Sequence, residues 1–340
     1  MVSHRRPTRP GLDRGVRATV LSAAVATAAA ALGAAPAGAA PEETRETAKE
    51  AVDRLYTEAE RATERYNGAR ENIGLQRGRI ARAQDAAART QEDINRLRAS
   101  LGSMAGAQYR SGGIDPSVAL LLSSDPDTFL DRAAALDRAG ERRAVTLGKL
   151  RHAQRKIAQS RAEAAGALAA LERDRAALAR HKNTVEAKLD RARQLLRTLP
   201  GTDREALGRA SRSASPGTLT ADAPGSARGL AALMAARQAL GRPYVWGATG
   251  PAGFDCSGLM QWAYAQAGVA LPRTSQAQRY AGRVVPLSEA RPGDLVAYRA
   301  DASHIGMYAG NGQVIHAPYP GAPVRYDPVG MMPVSSVTRV

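Results

Sequence analysis

The 340-residue chain has one cysteine, Cys256, and only two tryptophans and two phenylalanines. A single cysteine excludes a disulfide within the chain, so the thiol is an inert small hydrophobe, an intermolecular link or a nucleophile. Five histidines and no paired cysteines leave too few ligands at ordinary spacing for a zinc site. No stretch beyond the first 35 residues is apolar enough to span a bilayer. Acidic residues are in deficit, with 32 Asp and Glu against 48 Lys and Arg, for a formal charge of +16.

The beginning of the chain sets the context for that lone thiol. Arg5, Arg6, Arg9, Arg14 and Arg17 precede an uncharged, Ala-rich stretch from Ala18 to Ala35, and Ala37-Gly38-Ala39 follows as a small-residue cleavage pattern. This order reads as a signal peptide over residues 1–40, with a membrane anchor as the alternative. The stretch is short and weakly apolar for an anchor. Its five arginines against Asp13 account for +4, which leaves +12 on the remainder. Such a balance fits an anionic membrane face or an anionic cell wall, and export makes nucleic acid the weakest partner. The expected location is secreted and cell-wall associated.

Residues 41–200 carry helical periods. Val52, Leu55, Ala59, Ala62, Tyr66, Ala69 and Ile73 open a 3-4 spacing that continues to Met104, broken only by Gln76 and Thr90. An average period of 3.5 held over this length describes a coiled-coil helix. A second series runs from Phe129 through Leu136, Leu150, Ile157, Leu171, Leu178 and Val185 to Leu199 at sevenfold spacing, with a poorer companion seam. The expectation is a long antiparallel helical hairpin of about 100 Å at 1.5 Å per residue. At its turn, Asp115-Pro116 and Asp125-Pro126 each read as an N-cap followed by a first-turn proline. The short helix between them carries Val118, Leu120, Leu121 and Leu122. These side chains either fold back on the hairpin or serve as a docking knob, for example for a membrane-embedded activator or a division protein.

Pro200-Gly201 stops the second helix, and residues 201–228 read as a flexible linker with an expected span of about 30 Å. Residues 229–340 hold both tryptophans and seven of the ten tyrosines, and form the expected compact α+β domain. Helices are expected over 230–240, 256–267 and 275–281. Strands are expected over 295–298, 304–308 and 313–316, with Gly310-Asn311-Gly312 as a hairpin turn.

Cys256 stands where a loop enters a helix, and a helix N-terminus stabilises a thiolate. A thiol nucleophile needs a base, usually an imidazole. His4 lies in the signal segment, and His152 and His181 lie on the coil. His304 and His316 remain, one on each strand of the expected hairpin. One can accept the thiol proton and the other can orient it, as in a nucleophile-base-orienter triad.

Six separated segments resemble, in order, the NlpC-type cell-wall cysteine peptidases. They are Gly241 to Gly247, Phe254-Asp255-Cys256-Ser257-Gly258-Leu259, Leu271 to Gln276, Arg291 to Val296, Ser303 to Tyr308 and Val314 to Pro318. One departure is Ala248-Thr249, where a second glycine is common. The resemblance covers about a third of the chain. It implies a papain-like fold, no cofactor, and cleavage in peptidoglycan stem peptides, typically between γ-D-glutamate and the diamino acid. It assigns Cys256 as nucleophile, His304 as base and His316 as orienting residue. It places Tyr244, Asp255 and Ser257 in the substrate pocket, with the Cys256 N–H as oxyanion donor and Tyr244 as its helper. Asp255 is a substrate contact, a plain N-cap or both, and Arg273 either reads a stem carboxylate or forms a structural ion pair. The coil resembles, less specifically, those of secreted division-associated hydrolases, in which a hairpin can hold the site shut. Two rival readings remain: a non-catalytic scaffold acting through its coil, and a thiol transglutaminase or amidase on a related fold.

Overall fold

The computed structural model describes residues 42–110, 112–122, 127–202 and 226–340. The expected signal segment 1–40, Asp125-Pro126 and most of the expected linker lie outside the described residues.

Two long helices carry the N-terminal half, α1 (Glu42–Arg110) and α3 (Phe129–Thr198). Their seams meet antiparallel. Ala59 and Ala62 pack against Val185 and Leu189, while Ile94 packs against Ala153 and Ile157. The alanines of the seam let the two backbones approach closely. Farther out, Arg143 donates to Gln108 Oε1 at 3.1 Å across the pair. The expected α1 seam is buried at Val52, Ala69, Ile73, Ala83 and Thr90 as well. The poorer companion seam of α3 stays largely exposed, including Leu147 and Leu168.

The tip helix α2 (Pro116–Leu121) starts as expected, with Asp115 accepting the Ser117 N–H at 2.8 Å and Pro116 in the first turn. Leu120 is half-buried, while its neighbours stand out in solvent. Leu121 and Leu122 are 76% and 78% exposed.

The C-terminal half is a six-stranded antiparallel sheet with helices on one face. Its strands are β1 (Arg283–Val285), β2 (Leu295–Tyr298), β3 (His304–Gly310), β4 (Gln313–His316), β5 (Arg325–Pro328) and β6 (Val334–Arg339), in the order β1-β6-β2-β3-β4-β5. Three helices accompany it: α4 (Ala227–Gln238), α5 (Cys256–Gln266) and the single turn α6 (Ser275–Gln278). Helix α4 starts before residue 230, because the Ser226 hydroxyl accepts the Gly229 N–H at 2.9 Å and caps it there. Strands β1, β5 and β6 were not foreseen.

Alternation along the strands sorts the core. Leu295, Ile305, Met307 and Ile315 meet Leu233 and Ala236 of α4 and Leu259, Met260 and Ala263 of α5. Val296, Tyr298, Val314 and Val337 build a second cluster. In the β3–β4 hairpin, Asn311 and Gly312 both have positive φ, at 55° and 67°. Two left-handed residues in a two-residue loop match the twist of the flanking strands.

One glycine fixes where α5 can sit. A Cβ on Gly258 would lie 2.1 Å from the Ala248 carbonyl oxygen. Helix α5 therefore packs its first turn directly on the 247–248 loop. Gly258→Ala should lower stability by about 3 kcal/mol, the overpacking cost of a site that cannot relax, read from urea unfolding. An unchanged midpoint would show that this loop yields.

Candidate active site

Cys256 occupies the first position of α5, and Asp255 is its N-cap, accepting the Gly258 N–H at 2.7 Å. Asp255 is fully buried and also accepts the Gly247 N–H at 2.9 Å. The Arg273 guanidinium grips both of its oxygens and donates to Ser257 Oγ at 2.8 Å. Asp255, Ser257 and Arg273 thus form one buried network beside the cysteine. Asp255 is the N-cap of α5, and Arg273 forms an ion pair with it. Tyr244 is buried in the same core cluster as Cys256. Burial, followed by the nearby Cys256, pushes its phenol well above the ordinary range.

The two histidines meet where β3 begins and β4 ends. His304 Nε2 and His316 Nδ1 are 2.7 Å apart. His316 Nε2 lies 2.8 Å from Asp327 Oδ2, and Arg325 also holds that carboxylate at 2.8 Å. Asp327 sits on β5 opposite Val314, diagonal to His316 on the same face. Burial holds His316 down at about 4, although Asp327 opposes the shift. A neutral His316 whose Nε2–H points at Asp327 presents the Nδ1 lone pair to His304. His304 then donates from Nε2, and its Nδ1 is the nitrogen that faces the cleft.

A third element completes the site, and sequence reasoning missed it. Helix α1 lays one polar stripe, Glu60, Glu64 and Asn67, into the cleft, and all three are buried. Glu60 Oε1 lies 3.2 Å from His304 Nδ1, and Glu60 Oε2 accepts from Arg299 at 2.7 Å. Glu64 Oε1 accepts from the Ser257 hydroxyl at 2.7 Å and from the Cys256 thiol at 3.7 Å. Glu64 Oε2 accepts the Ser275 N–H at 2.7 Å. Asn67 Nδ2 donates to Asp255 Oδ2 at 3.0 Å. Side chains four apart on a helix stand about 5–6 Å from each other. Glu60 at the imidazole and Glu64 at the thiol therefore place both groups within one helical turn. Rings seal the edges, with Tyr66 edge-on to Trp246 at 5.0 Å and Tyr56 stacked on Tyr319 at 4.9 Å.

This occupancy reverses the expected thiol acidity. Cys256 is fully buried, and its pKa lies well above the ordinary value because of burial first and then Glu64, Asp255 and Glu60. Loss of water and three carboxylates outweigh the helix N-terminus. With α1 seated, the thiol is protonated and shielded.

A stripe with members at 60, 63, 64 and 67 was visible as helical spacing of polar residues. A solvated outer face has the same pattern, so only the structure tells the two apart. Asp327 gave no signal, since β5 was not foreseen.

Residues 241–337 match the model of the NlpC/P60 family. Over 117 residues the chain is 48% identical to a probable endopeptidase of Corynebacterium glutamicum, covering 34% of this chain and 56% of that protein. A probable endopeptidase of Mycobacterium tuberculosis is 48% identical over 99 residues, 29% of this chain and 26% of that one. Among solved structures, the peptidoglycan hydrolase RipB of Mycobacterium tuberculosis is 34% identical over 40% of this chain and 77% of its own, with a TM-score of 0.32. The NlpC/p60 domain of the peptidoglycan hydrolase SagA is 34% identical over 33% of this chain and 98% of its own, also with a TM-score of 0.32. The chain thus spans about half or less of the curated relatives named here.

Glu64 makes the closed arrangement sensitive to pH. Burial and then the charge of Asp255 raise its carboxyl to about 7, while Ser257, Ser275 and Arg273 oppose the shift. A carboxyl raised on docking favours the docked state most below its ordinary value. That contribution is lost as pH rises through about 7. Alkylation of Cys256 should therefore rise more steeply between pH 6 and 8 in the wild type than in Glu64→Gln, which stays neutral. Parallel profiles would remove Glu64 as the titrating group.

Proposed function

We propose that this chain, whose residues 241–337 form an NlpC/P60 domain, is an exported cysteine endopeptidase of peptidoglycan stem peptides, kept latent by its own coil. The observation that carries the catalytic part is the Asp327–His316–His304 relay, which leaves His304 Nδ1 as the base on the cleft side. The family relationship supports peptidoglycan as the substrate. The apolar start and the basic balance support export to an anionic wall.

Once α1 is out of the cleft, His304 Nδ1 takes the Cys256 proton, and the thiolate attacks the carbonyl carbon of the scissile amide. The Cys256 N–H at the start of α5 faces the developing oxyanion, with Tyr244 close by. Collapse of the tetrahedral adduct expels the amine, which takes its proton from His304. Water, deprotonated by the same imidazole, then cleaves the thioester and releases the acid. Asp255, Ser257 and Arg273 form the wall beside the nucleophile and position the acyl part. The bond proposed is that from γ-D-glutamate to the diamino acid.

The seated stripe of α1 supports the latent state. Glu60 stands at the basic nitrogen and Glu64 at the thiol, the two groups that must meet each other. From Glu64 to the end of α1 is about 70 Å at 1.5 Å per residue. The exposed leucines of α2 therefore stand far from the cleft, on a lever that ends in it. A partner that grips this tip, such as a membrane-embedded activator, would tilt α1 and free the site.

A closed state favoured by a few kcal/mol still leaves about 0.1–10% of molecules open, enough for prolonged digestion. Purified wall digested with the full chain should release peptides that begin with the diamino acid and leave the γ-D-glutamate carboxyl on the glycan, identified by mass spectrometry. Cys256→Ala and His304→Gln should release none. His316→Gln should keep a measurable fraction, because an amide can still hydrogen-bond His304. Hydrolysis by Cys256→Ala would remove the cysteine mechanism, and transfer products without hydrolysis would favour a transglutaminase.

A further inference from the structure

Arg299 lies outside the relay and the cysteine network, and its contacts are unusual. It follows β2 with a positive φ of 63°, and its N–H is fixed to the Pro333 carbonyl at 2.8 Å. Such a backbone conformation is uncommon for a side-chain-bearing residue. It aims the guanidinium into the cleft, where the side chain is 18% exposed. There Arg299 donates to Glu60 at 2.7 Å, to Thr57 Oγ1 at 3.4 Å and to Ser303 Oγ at 3.3 Å. Glu60 and Thr57 belong to α1, and Ser303 alone of these three belongs to the catalytic half. The neighbouring Arg325 is different, because its carboxylate partner Asp327 lies on its own strand.

A cavity of about 360 Å³ continues from this point between α1 and the sheet. Tyr56 and Glu60 line it from the helix, and Arg299, His316, Tyr319 and Arg325 line it from the catalytic half. When α1 leaves, that wall opens, and Arg299 loses its carboxylate while keeping its fixed backbone.

We propose that Arg299 is the carboxylate-binding residue of the substrate cleft on the leaving-group side, and that Glu60 is its internal stand-in while the site is shut. The inference rests on the peptidase reading given above. The side follows from the chemistry. His304 hands its proton to the leaving amine, so the leaving residue lies along the flank of His304. Arg299 bonds Ser303, the residue before His304, on that flank. The acyl part belongs to the other side, where Glu64 meets Cys256, Ser257 and Ser275. The ligand is a free carboxylate on the residue that supplies the leaving amine. A planar guanidinium reads a carboxylate with charge-assisted bonds that a carboxamide cannot match.

The test uses the full chain in a Glu60→Gln background, which removes the internal carboxylate and leaves the catalytic residues intact. Two soluble stem tripeptides serve as substrates, one ending in diaminopimelate and the other with the carboxylates of that residue amidated. Glu60→Gln should show a kcat/KM at least tenfold higher for the acid, carried by KM. Adding Arg299→Gln should bring the ratio close to one without slowing the amide, and Arg299→Lys should keep part of the preference. Equal cleavage of both peptides by Glu60→Gln, or a preference that survives Arg299→Gln, overturns the subsite while hydrolysis stands. Cleavage of neither peptide removes the peptidase reading, and the subsite with it.

Discussion

Two carboxylates one helical turn apart, Glu60 and Glu64, hold the closed molecule together and also strain it. Taking such groups out of water costs several kcal/mol each unless partners replace the lost solvent. Glu60 finds Arg299 and lies against His304, and its carboxyl is held low even though burial pushes it up. Glu64 finds a hydroxyl, a backbone N–H and the thiol, but it also faces Asp255, and its carboxyl rises. The seating of α1 is therefore a near balance of large opposing effects. A contact of this kind is specific, because it fits only this cleft. Apolar packing reinforces it at the Tyr56, Tyr66 and Trp246 rings and at Ala59 and Ala62.

The relay behind His304 rests on the burial of His316. A neutral, buried His316 directs its Nε2–H to Asp327 and so settles the tautomer of both rings. The chain of contacts spans β3, β4 and β5, three adjacent strands whose register sets the distances. Gly306 leaves room for it, since a Cβ there would come within 3.2 Å of His316 Cβ.

Much of this was legible from residue order. The 3.5 period of α1 was legible because a long helix that packs on another buries a narrow seam, so one pattern repeats many times. The cysteine helix announced itself through Asp255, a capping side chain, followed by small residues and then Leu259, Met260 and Ala263. The hairpin was legible through Gly310-Asn311-Gly312. Strands β1, β5 and β6 were not, because β1 and β6 find their partners far along the chain and the edge strand β5 carries no strand pattern. Arg325-Tyr326-Asp327-Pro328 has no apolar alternation and ends in proline. The functional residues of α1 were hidden for a related reason. Polar side chains on a coil are ordinarily solvated, and Asn67 meets Asp255 across 188 positions of sequence.

The central claim is that α1 must leave the cleft before the cysteine can work. The most direct measurement is the rate of wall digestion by Asn67→Asp relative to the wild-type full chain. This change is isosteric, touches none of the catalytic side chains, and sets a carboxylate against Asp255 where an amide now donates at 3.0 Å. A buried like-charge pair should disfavour the seated helix by several kcal/mol. Digestion should be more than tenfold faster, with unfolding of the sheet domain unchanged. Digestion at the wild-type rate, with Cys256 alkylated no faster, would contradict it.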